Sequence, residues 1–156
     1  LMLANIQNGM VDGNLPYLTE IDSKLEKYCL KDGDLILSKN GYPYKVAVAS
    51  VKEGHKILAN GNLYIIELDE SKANPYYIKA FFESEQGIAV LKSITVGATV
   101  PNIGVDKLKK VNIPLLSIEE QNRFAEKYQK ILEEIENLKS RLEEAKIKLQ
   151  NVFNEK

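Results

Sequence analysis

The chain has 156 residues, 44% of them apolar and 28% charged, a balance that suits a soluble domain with room for one extended element. No apolar stretch approaches the ~20 residues of a membrane-spanning helix, so we expect no membrane segment. The single cysteine, Cys29, excludes an internal disulfide, and we therefore expect a cytoplasmic protein. The net charge of −1 shows no basic excess, so composition alone does not suggest a nucleic-acid partner.

Residues 1–116 carry short apolar runs separated by turn signals, such as the Asn-Gly pair at Asn40. This pattern predicts an α+β fold, with a small mixed and twisted β-sheet and short helices. Pro75 suits the first turn of a helix whose apolar face includes Phe81 and Phe82. The predicted strands cover 34–38, 45–51, 63–68 and 110–115, the predicted helices cover 75–84 and 86–91, and 95–104 is predicted to be a loop.

From Ser117 onward the pattern is that of one long helix. Ser117-Ile118-Glu119-Glu120 fits a capping box, and apolar residues then recur at alternating spacings of four and three. This repeat is typical of a left-handed coiled coil and predicts a helix about 55 Å long that needs a partner helix. The predicted seam consists of Phe124, Tyr128, Ile131, Ile135, Leu138, Leu142, Ala145, Leu149 and Val152. We therefore expect two domains, 1–116 and 117–156, and a dimer through the second.

Residues suited to catalysis are few. His55 is the only histidine and Cys29 the only cysteine, so we expect no metal site and interpret Cys29 as a half-buried apolar residue. Asn74-Pro75-Tyr76-Tyr77 resembles the Asn-Pro-Pro-Tyr motif of adenine methyltransferases, but the second proline is missing and no glycine-rich cofactor loop precedes it. We expect no catalytic residue and no bound cofactor in this chain.

The loop from Ser38 to Lys45 combines an amide, a hydroxyl, two lysines and two tyrosines, which are groups that contact phosphates and base edges. Taken alone, this segment favours the plainer interpretation, a solvated turn, and both interpretations stay open here. Residues 1–116 contain no arginine, because Arg123 and Arg141 both follow them. Bidentate contacts between arginine and guanine are therefore excluded for this part of the chain.

The order and spacing of several segments resemble the specificity subunit of type I restriction-modification systems, and equally the C-terminal specificity region of fused N-6 adenine DNA methyltransferases. No single segment is specific, but together they cover nearly all of residues 20–150. The matching segments are Lys31 to Gly41, Lys45 to Val48, Asn62 to Ile66, Pro75 to Ile78, Phe81 to Ser84 with Gly87, Gly97 to Pro101, Leu108 to Leu115, and Glu119 to Gln121.

This resemblance implies a non-catalytic target-recognition domain joined to a spacer helix. In the family, two such units lie with antiparallel helices, each domain reads half of a split site in double-stranded DNA, and the helices dock DNA adenine methyltransferase subunits. It also implies that S-adenosylmethionine binds to the methyltransferase part or partner, and that a restriction or translocase subunit is a further partner. With one unit here, we expect either a half-subunit that forms an antiparallel homodimer or part of a fused enzyme; the start of the chain and Leu15-Pro16-Tyr17 favour the latter.

Under this hypothesis the loops 38–45, 56–62 and 95–102 face DNA. Three lysines would contact phosphate: Lys39, Lys45 and Lys56. Four residues would lie near bases: Asn40, Tyr42, Asn60 and Asn102. The complete predicted DNA-binding set is Ser38, Lys39, Asn40, Tyr42, Tyr44, Lys45, Lys56, Asn60, Asn62, Thr99 and Asn102. The alternative function is a protein–protein adaptor that assembles through its coiled coil and does not bind DNA, an alternative that the neutral charge favours.

Overall fold

A computed structural model of the chain describes residues 1–7, 9–11 and 14–152, and it confirms the predicted α+β fold with a long C-terminal helix. The strands are β1 (Ile6–Gln7), β2 (Met10–Val11), β3 (Leu35–Ser38), β4 (Val46–Val48), β5 (Leu63–Ile66), β6 (Thr95–Val96) and β7 (Asn102–Ile103). The helices are α1 (Pro75–Glu83), α2 (Glu85–Ser93), α3 (Val105–Leu108) and α4 (Ile118–Asn151), with 3₁₀ helices at Leu3–Asn5 and Ser23–Tyr28. Residues 153–156, where the predicted helix was expected to end, lie outside the described residues.

The central sheet has the order β4-β3-β5, with Leu35 of β3 opposite both Val48 and Ile66. Every pairing between described strands is antiparallel, so the expected mixed sheet is in fact antiparallel. Because side chains alternate along a strand, Leu35 and Leu37 enter a core with helix α1, whereas Ile36 enters a second core with Ile6. Strand β3 is therefore covered on both faces, which explains its uninterrupted apolar sequence.

Helices α1 and α2 meet at a very tight turn. Asn74 caps α1 through its side-chain oxygen, and Ser84 caps α2 by accepting from the backbone N–H of Gly87. A Cβ atom added at Gly87 would lie 1.9 Å from the Phe81 carbonyl oxygen. Glycine is thus required at this point for α2 to fold back against α1.

We call residues 1–116 the head. Two predictions for its second half were wrong. Residues 110–115 form no strand; Val111 and Ile113 pack against the first core, but no described strand runs beside them to share hydrogen bonds. The segment predicted as a loop at 95–104 contains the short hairpin β6–β7, in which Gly97 adopts a φ of +90°. Tertiary packing, rather than the local pattern, decides both segments.

Helix α4 begins against the head. Its capping box forms as predicted between Ser117 and Glu120, and hydrogen bonds from Ser117 lower the pKa of the Glu120 carboxyl. Gln121 is fully buried: its side chain donates to the Lys72 and Leu116 carbonyls and accepts from the Asn74 backbone N–H. These bonds fix the first turns of α4 to the start of α1.

A buried lysine provides a second link between head and helix. Lys79 of α1 is 1% exposed, and its ammonium bonds both carboxylate oxygens of Glu83, at 2.9 and 2.8 Å, and the Tyr128 hydroxyl at 2.6 Å. The Tyr128 hydroxyl donates in turn to Glu83. Phe124 stacks on Tyr128 and lies edge-on to Tyr77. Phe124 and Tyr128, predicted as seam residues, therefore contact the head, because α4 crosses α1 at this point.

Beyond this junction the apolar stripe of α4 is uncovered. Three of its members, Ile131, Leu138 and Leu142, are 55%, 54% and 55% exposed. At about 100° per residue, the stripe lies roughly a quarter turn away from the face that carries Gln121 and Ala125 and packs on the head. The remaining uncovered seam residues are Ile135, Ala145, Leu149 and Val152. In the part of the chain that the structure describes, no helix is both long and apolar enough to cross a membrane.

Candidate nucleic-acid interface

Three segments that are distant in sequence meet at one end of the central sheet. The backbone N–H of Lys39 donates to the Asn62 carbonyl at 2.9 Å, and the Lys39 carbonyl accepts from Ile103 at 2.9 Å. The Gly41 N–H donates to the Pro101 carbonyl at 3.0 Å. We call this surface, made of residues 38–45, 60–62 and 92–103, the loop edge. Two of the three predicted DNA-facing loops thus lie side by side, together with the end of the third.

A chain of three asparagine amides crosses the loop edge. The Asn40 Nδ2 donates to Asn62 Oδ1 at 3.3 Å, and the Asn102 Nδ2 donates to Asn40 Oδ1. Asn40 and Asn102 also form an isolated β-bridge through their backbones. Asn62 is exposed, whereas Asn40 and Asn102 are half-buried. Three predicted site residues are therefore brought into one hydrogen-bonded group.

Lys39 lies beside this group with its ammonium near the surface. The Nζ donates to the Gly61 carbonyl at 2.7 Å and stands 4.8 Å from the centre of the Tyr64 ring. Tyr64 in turn donates to the Ile103 carbonyl at 2.7 Å, and burial, followed by the nearby Asp106, raises the pKa of its hydroxyl. The lysine is held by one carbonyl and a ring face, and none of the described carboxylates is bonded to it.

Two tyrosines form the other side of the loop edge. Tyr42 is exposed and lies edge-on to Tyr44, whose hydroxyl bonds to Thr95 Oγ1 at 2.8 Å. The ammonium of Lys92 stands 4.7 Å from the Tyr42 ring centre. Sequence reasoning missed Lys92, since it ends a helix 50 residues after Tyr42 and only the fold brings the two together. In the sequence, the one feature that could have drawn attention to Lys92 was its position in the last turn of α2.

Two residues of the predicted DNA-binding set serve the fold instead. Ser38 is fully buried, and its hydroxyl accepts from the Lys45 backbone N–H at 2.9 Å. The Lys45 ammonium donates to the Leu3 and Ile6 carbonyls at 3.0 and 2.6 Å. In the structure this lysine therefore closes the N-terminal segment onto the sheet.

Other predicted residues lie apart from the asparagine group. Lys56 follows the turn at residues 53–54, between β4 and β5, and pairs with Glu26 at 2.6 Å, which raises its pKa. It lines an open groove of about 930 Å³ between residues 15–21 and α4. Asn60 is exposed and its side-chain oxygen accepts from the Asn62 N–H at 2.8 Å, and Thr99 is exposed at the tip of the β6–β7 hairpin.

The charge of the loop edge differs from that of the whole chain. Its three segments include Lys39, Lys45 and Lys92 but no aspartate or glutamate, whereas the chain as a whole carries a net charge of −1. The nearest following carboxylate in sequence is Asp106, at the start of α3. Local positive charge with planar amides and an exposed tyrosine suits contact with a phosphate backbone and base edges.

Elsewhere in the described residues, no cluster of three or more His, Cys, Asp or Glu side chains is arranged to hold a metal ion. Cys29 is half-buried, as predicted, and bridges to Leu58 through its backbone. His55 bonds only locally, to the Glu53 carbonyl at 3.2 Å. Asn74, the first residue of the motif that resembles a methyltransferase, uses its side chain to cap α1.

The described residues form a small α+β fold carried on a long helix, and comparison with known proteins places the chain in a family. Residues 5–149 match the family of type I restriction modification DNA specificity domains, so the chain belongs to this family. Among curated relatives, the specificity subunit of the type I restriction enzyme StySPI from Salmonella potsdam is 26% identical over 141 residues, which cover 90% of this chain. The chain spans 30% of the length of that relative. Family membership confirms the resemblance seen in the sequence, and with it a non-catalytic module of restriction-modification systems.

Proposed function

We propose that this chain recognises a short sequence in double-stranded DNA through the loop edge and holds the bound DNA at a fixed position relative to α4. The observation that carries this proposal is the meeting of three remote segments whose sequences contain lysines and amides but no aspartate or glutamate. Such a surface supplies both parts of DNA binding: charge for phosphates and hydrogen-bonding groups for bases.

The residues of the loop edge divide between these tasks. Lys39 and Lys92 are the phosphate contacts, because their ammonium groups lie over aromatic rings without a carboxylate partner. Tyr42, exposed between them, offers a flat ring and a hydroxyl at the same surface. Lys45 and Ser38 contribute indirectly by shaping the loop that carries Asn40 and Tyr42. We assign the bases to the group of three linked amides rather than to Asn60, whose side-chain oxygen bonds the Asn62 backbone N–H.

The long helix serves assembly in this proposal. We assign recognition to residues 1–116 and spacing to residues 117–156, and the uncovered stripe of α4 pairs with an antiparallel helix, either from a second copy or from a second recognition unit. A DNA adenine methyltransferase subunit or domain, with its S-adenosylmethionine, docks on this pair and is thereby placed on the target. In a system that also cleaves, a restriction or translocase subunit joins the same assembly.

Selection from a random duplex library, with the full chain as bait, tests the proposal. We expect a recurring short motif, and a binding constant for it that falls with rising salt. Lys39→Ala should weaken binding to all duplexes and reduce the salt slope by about 0.9. Lys31→Ala is the matched control. Lys31 is an exposed lysine that precedes the first residue of β3, whereas the loop edge follows the last, and it pairs with Glu67 at 2.8 Å.

The adaptor function remains the second candidate, because the exposed stripe of α4 would by itself support assembly without DNA. The same selection separates the two. A chain that dimerises but recovers no motif, and binds duplexes equally in the Lys39→Ala and Lys31→Ala forms, is an adaptor.

A further inference from the structure

The asparagine chain of the loop edge has a direction, and this leaves different groups available at its two ends. Asn102 donates to Asn40, and Asn40 donates to Asn62. Within the described residues, nothing bonds to the Asn62 Nδ2, and the Asn62 Oδ1 has used one of its two lone pairs. Asn62 therefore keeps both a donor and an acceptor on one planar, exposed amide.

This pair of groups matches one base. In the major groove, adenine presents the N6 amino donor beside the N7 acceptor, which an asparagine amide binds through two parallel hydrogen bonds. Guanine presents two acceptors, cytosine a donor, and thymine an acceptor beside a methyl group. An amide with one donor and one acceptor free is thus complementary to adenine among the four.

The groups that would read guanine are missing or engaged. Residues 1–116 contain no arginine. The proposed function uses the ammonium groups of Lys39 and Lys92 for phosphate, and the Lys45 ammonium is bonded to two carbonyls of the N-terminal segment. The turn at Gly61 and Asn62 is also open, because a Cβ added at Gly61 would meet no atom within 4 Å. Asn62 is itself exposed, so a base edge can reach its amide.

We propose that Asn62 reads an adenine of the target by a bidentate contact in the major groove, and that Asn40 is the positioning residue that fixes the Asn62 amide. This inference rests on the proposed function and names the base that the loop edge recognises. Asn40 acts through its Nδ2, which occupies one lone pair of Asn62 Oδ1 and so holds the Nδ2 of Asn62 toward solvent. Asn102 anchors Asn40 from the other side.

The test uses the motif recovered by selection, with each adenine replaced in turn by 7-deazaadenine, which lacks the N7 acceptor but still pairs with thymine. For the natural chain, one replacement should weaken binding roughly 5- to 10-fold, the effect of one lost hydrogen bond. Asn62→Ala should bind the natural and modified duplexes equally at that position. The ratio of the binding constants for the natural and the modified duplex should be smaller for Asn40→Ala than for the natural chain, because the Asn62 amide is no longer held.

Asn112→Ala, a change at an exposed asparagine between α3 and α4, is the control and should keep the full ratio. Each ratio compares two duplexes on one preparation, so a partly unfolded variant does not distort it. If no adenine position is sensitive, or if the sensitivity persists in Asn62→Ala, the inference is wrong although a motif exists. If selection recovers no motif at all, the proposed function itself fails.

Discussion

Among the ion pairs of the described residues, that between Lys79 and Glu83 has the largest difference in exposure between its two side chains. The lysine is 1% exposed and the glutamate 36%. Removing one partner of a buried pair is costly when the remaining charge cannot reach water. We expect Glu83→Gln to lower the free energy of unfolding by about 3 kcal/mol, because the ammonium stays buried. Lys79→Met should cost less, since the remaining carboxylate can hydrate.

Urea denaturation of both variants measures this difference. Glu143→Gln is the matched control, because Glu143 pairs at 2.7 Å with Lys146 on the exposed face of α4, and both side chains are more than half exposed. Its loss should stay below about 0.5 kcal/mol, as for other surface pairs. Equal losses in Glu83→Gln and Glu143→Gln would show that burial of the Lys79 ammonium does not raise the cost of removing its partner.

The Tyr128 hydroxyl makes this junction sensitive to alkaline pH. Burial, followed by its hydrogen bond to Glu83, raises the pKa of the hydroxyl above the ordinary value of about 10. The unfolded chain therefore loses this proton first, so the stabilisation is complete below pH 10 and decreases as the pH rises further. Urea midpoints between pH 8 and 11 should fall more steeply for the natural chain than for Tyr128→Phe. Parallel curves for the two proteins would contradict this prediction, and Tyr17→Phe, at an almost fully exposed tyrosine, is the control.

At the scale of the elements, the turn between α1 and α2 depends on one residue. An alanine at Gly87 would place its Cβ 1.9 Å from the Phe81 carbonyl and 2.6 Å from the Phe82 Cα, both backbone atoms that cannot move independently. Gly87→Ala should therefore lower the free energy of unfolding by more than about 3 kcal/mol, as thermal and urea unfolding would show. Gly61→Ala, with open space around its Cβ, should change stability by less than about 1 kcal/mol. Similar losses in both variants would mean that α2 does not pack as closely as the structure shows.

The sequence was informative wherever an element is determined by its own residues. Strand β3 has a short apolar run, and α1 and α4 each begin at a recognisable cap, so all three were predicted within one or two residues. The prediction of a strand at 110–115 was wrong because alternating apolar residues are compatible with core packing as well as with strand pairing. The sequence does not reveal whether a neighbouring strand exists.

The candidate site was predictable as a set of loops but not as a set of contacts. Asn40 and Asn102 were chosen for their amides, and the fold does place them in one group with Asn62. Lys45 looked equivalent to Lys39 in sequence, yet its ammonium reaches Leu3 and Ile6, about 40 residues away. Contacts over such separations depend on the assembled sheet, so no local pattern distinguishes the two lysines.

At the scale of the whole molecule, α4 has one face that packs on the head and another that is uncovered. Gln121 and Ala125 bury one face against the head, whereas the stripe from Ile131 onward points about a quarter turn away and is uncovered. A second helix can therefore dock on the stripe without displacing the head. The spacing of four and three drifts about 20° per heptad on a straight helix, so the pair should supercoil with a left hand.

Replacing Leu138 and Leu142 by lysine should convert the dimer that this arrangement predicts into a monomer, because both leucines lie in the stripe, are more than half exposed, and would bring like charges together across the pair. Sedimentation velocity measures the change. The matched control is Ser140→Lys with Ile147→Lys, which adds the same charge to exposed positions on the opposite side of α4 and should leave the dimer intact. If both double variants sediment like the natural chain, the stripe is not the assembly surface. If both become monomers, added charge rather than the position of the leucines is responsible.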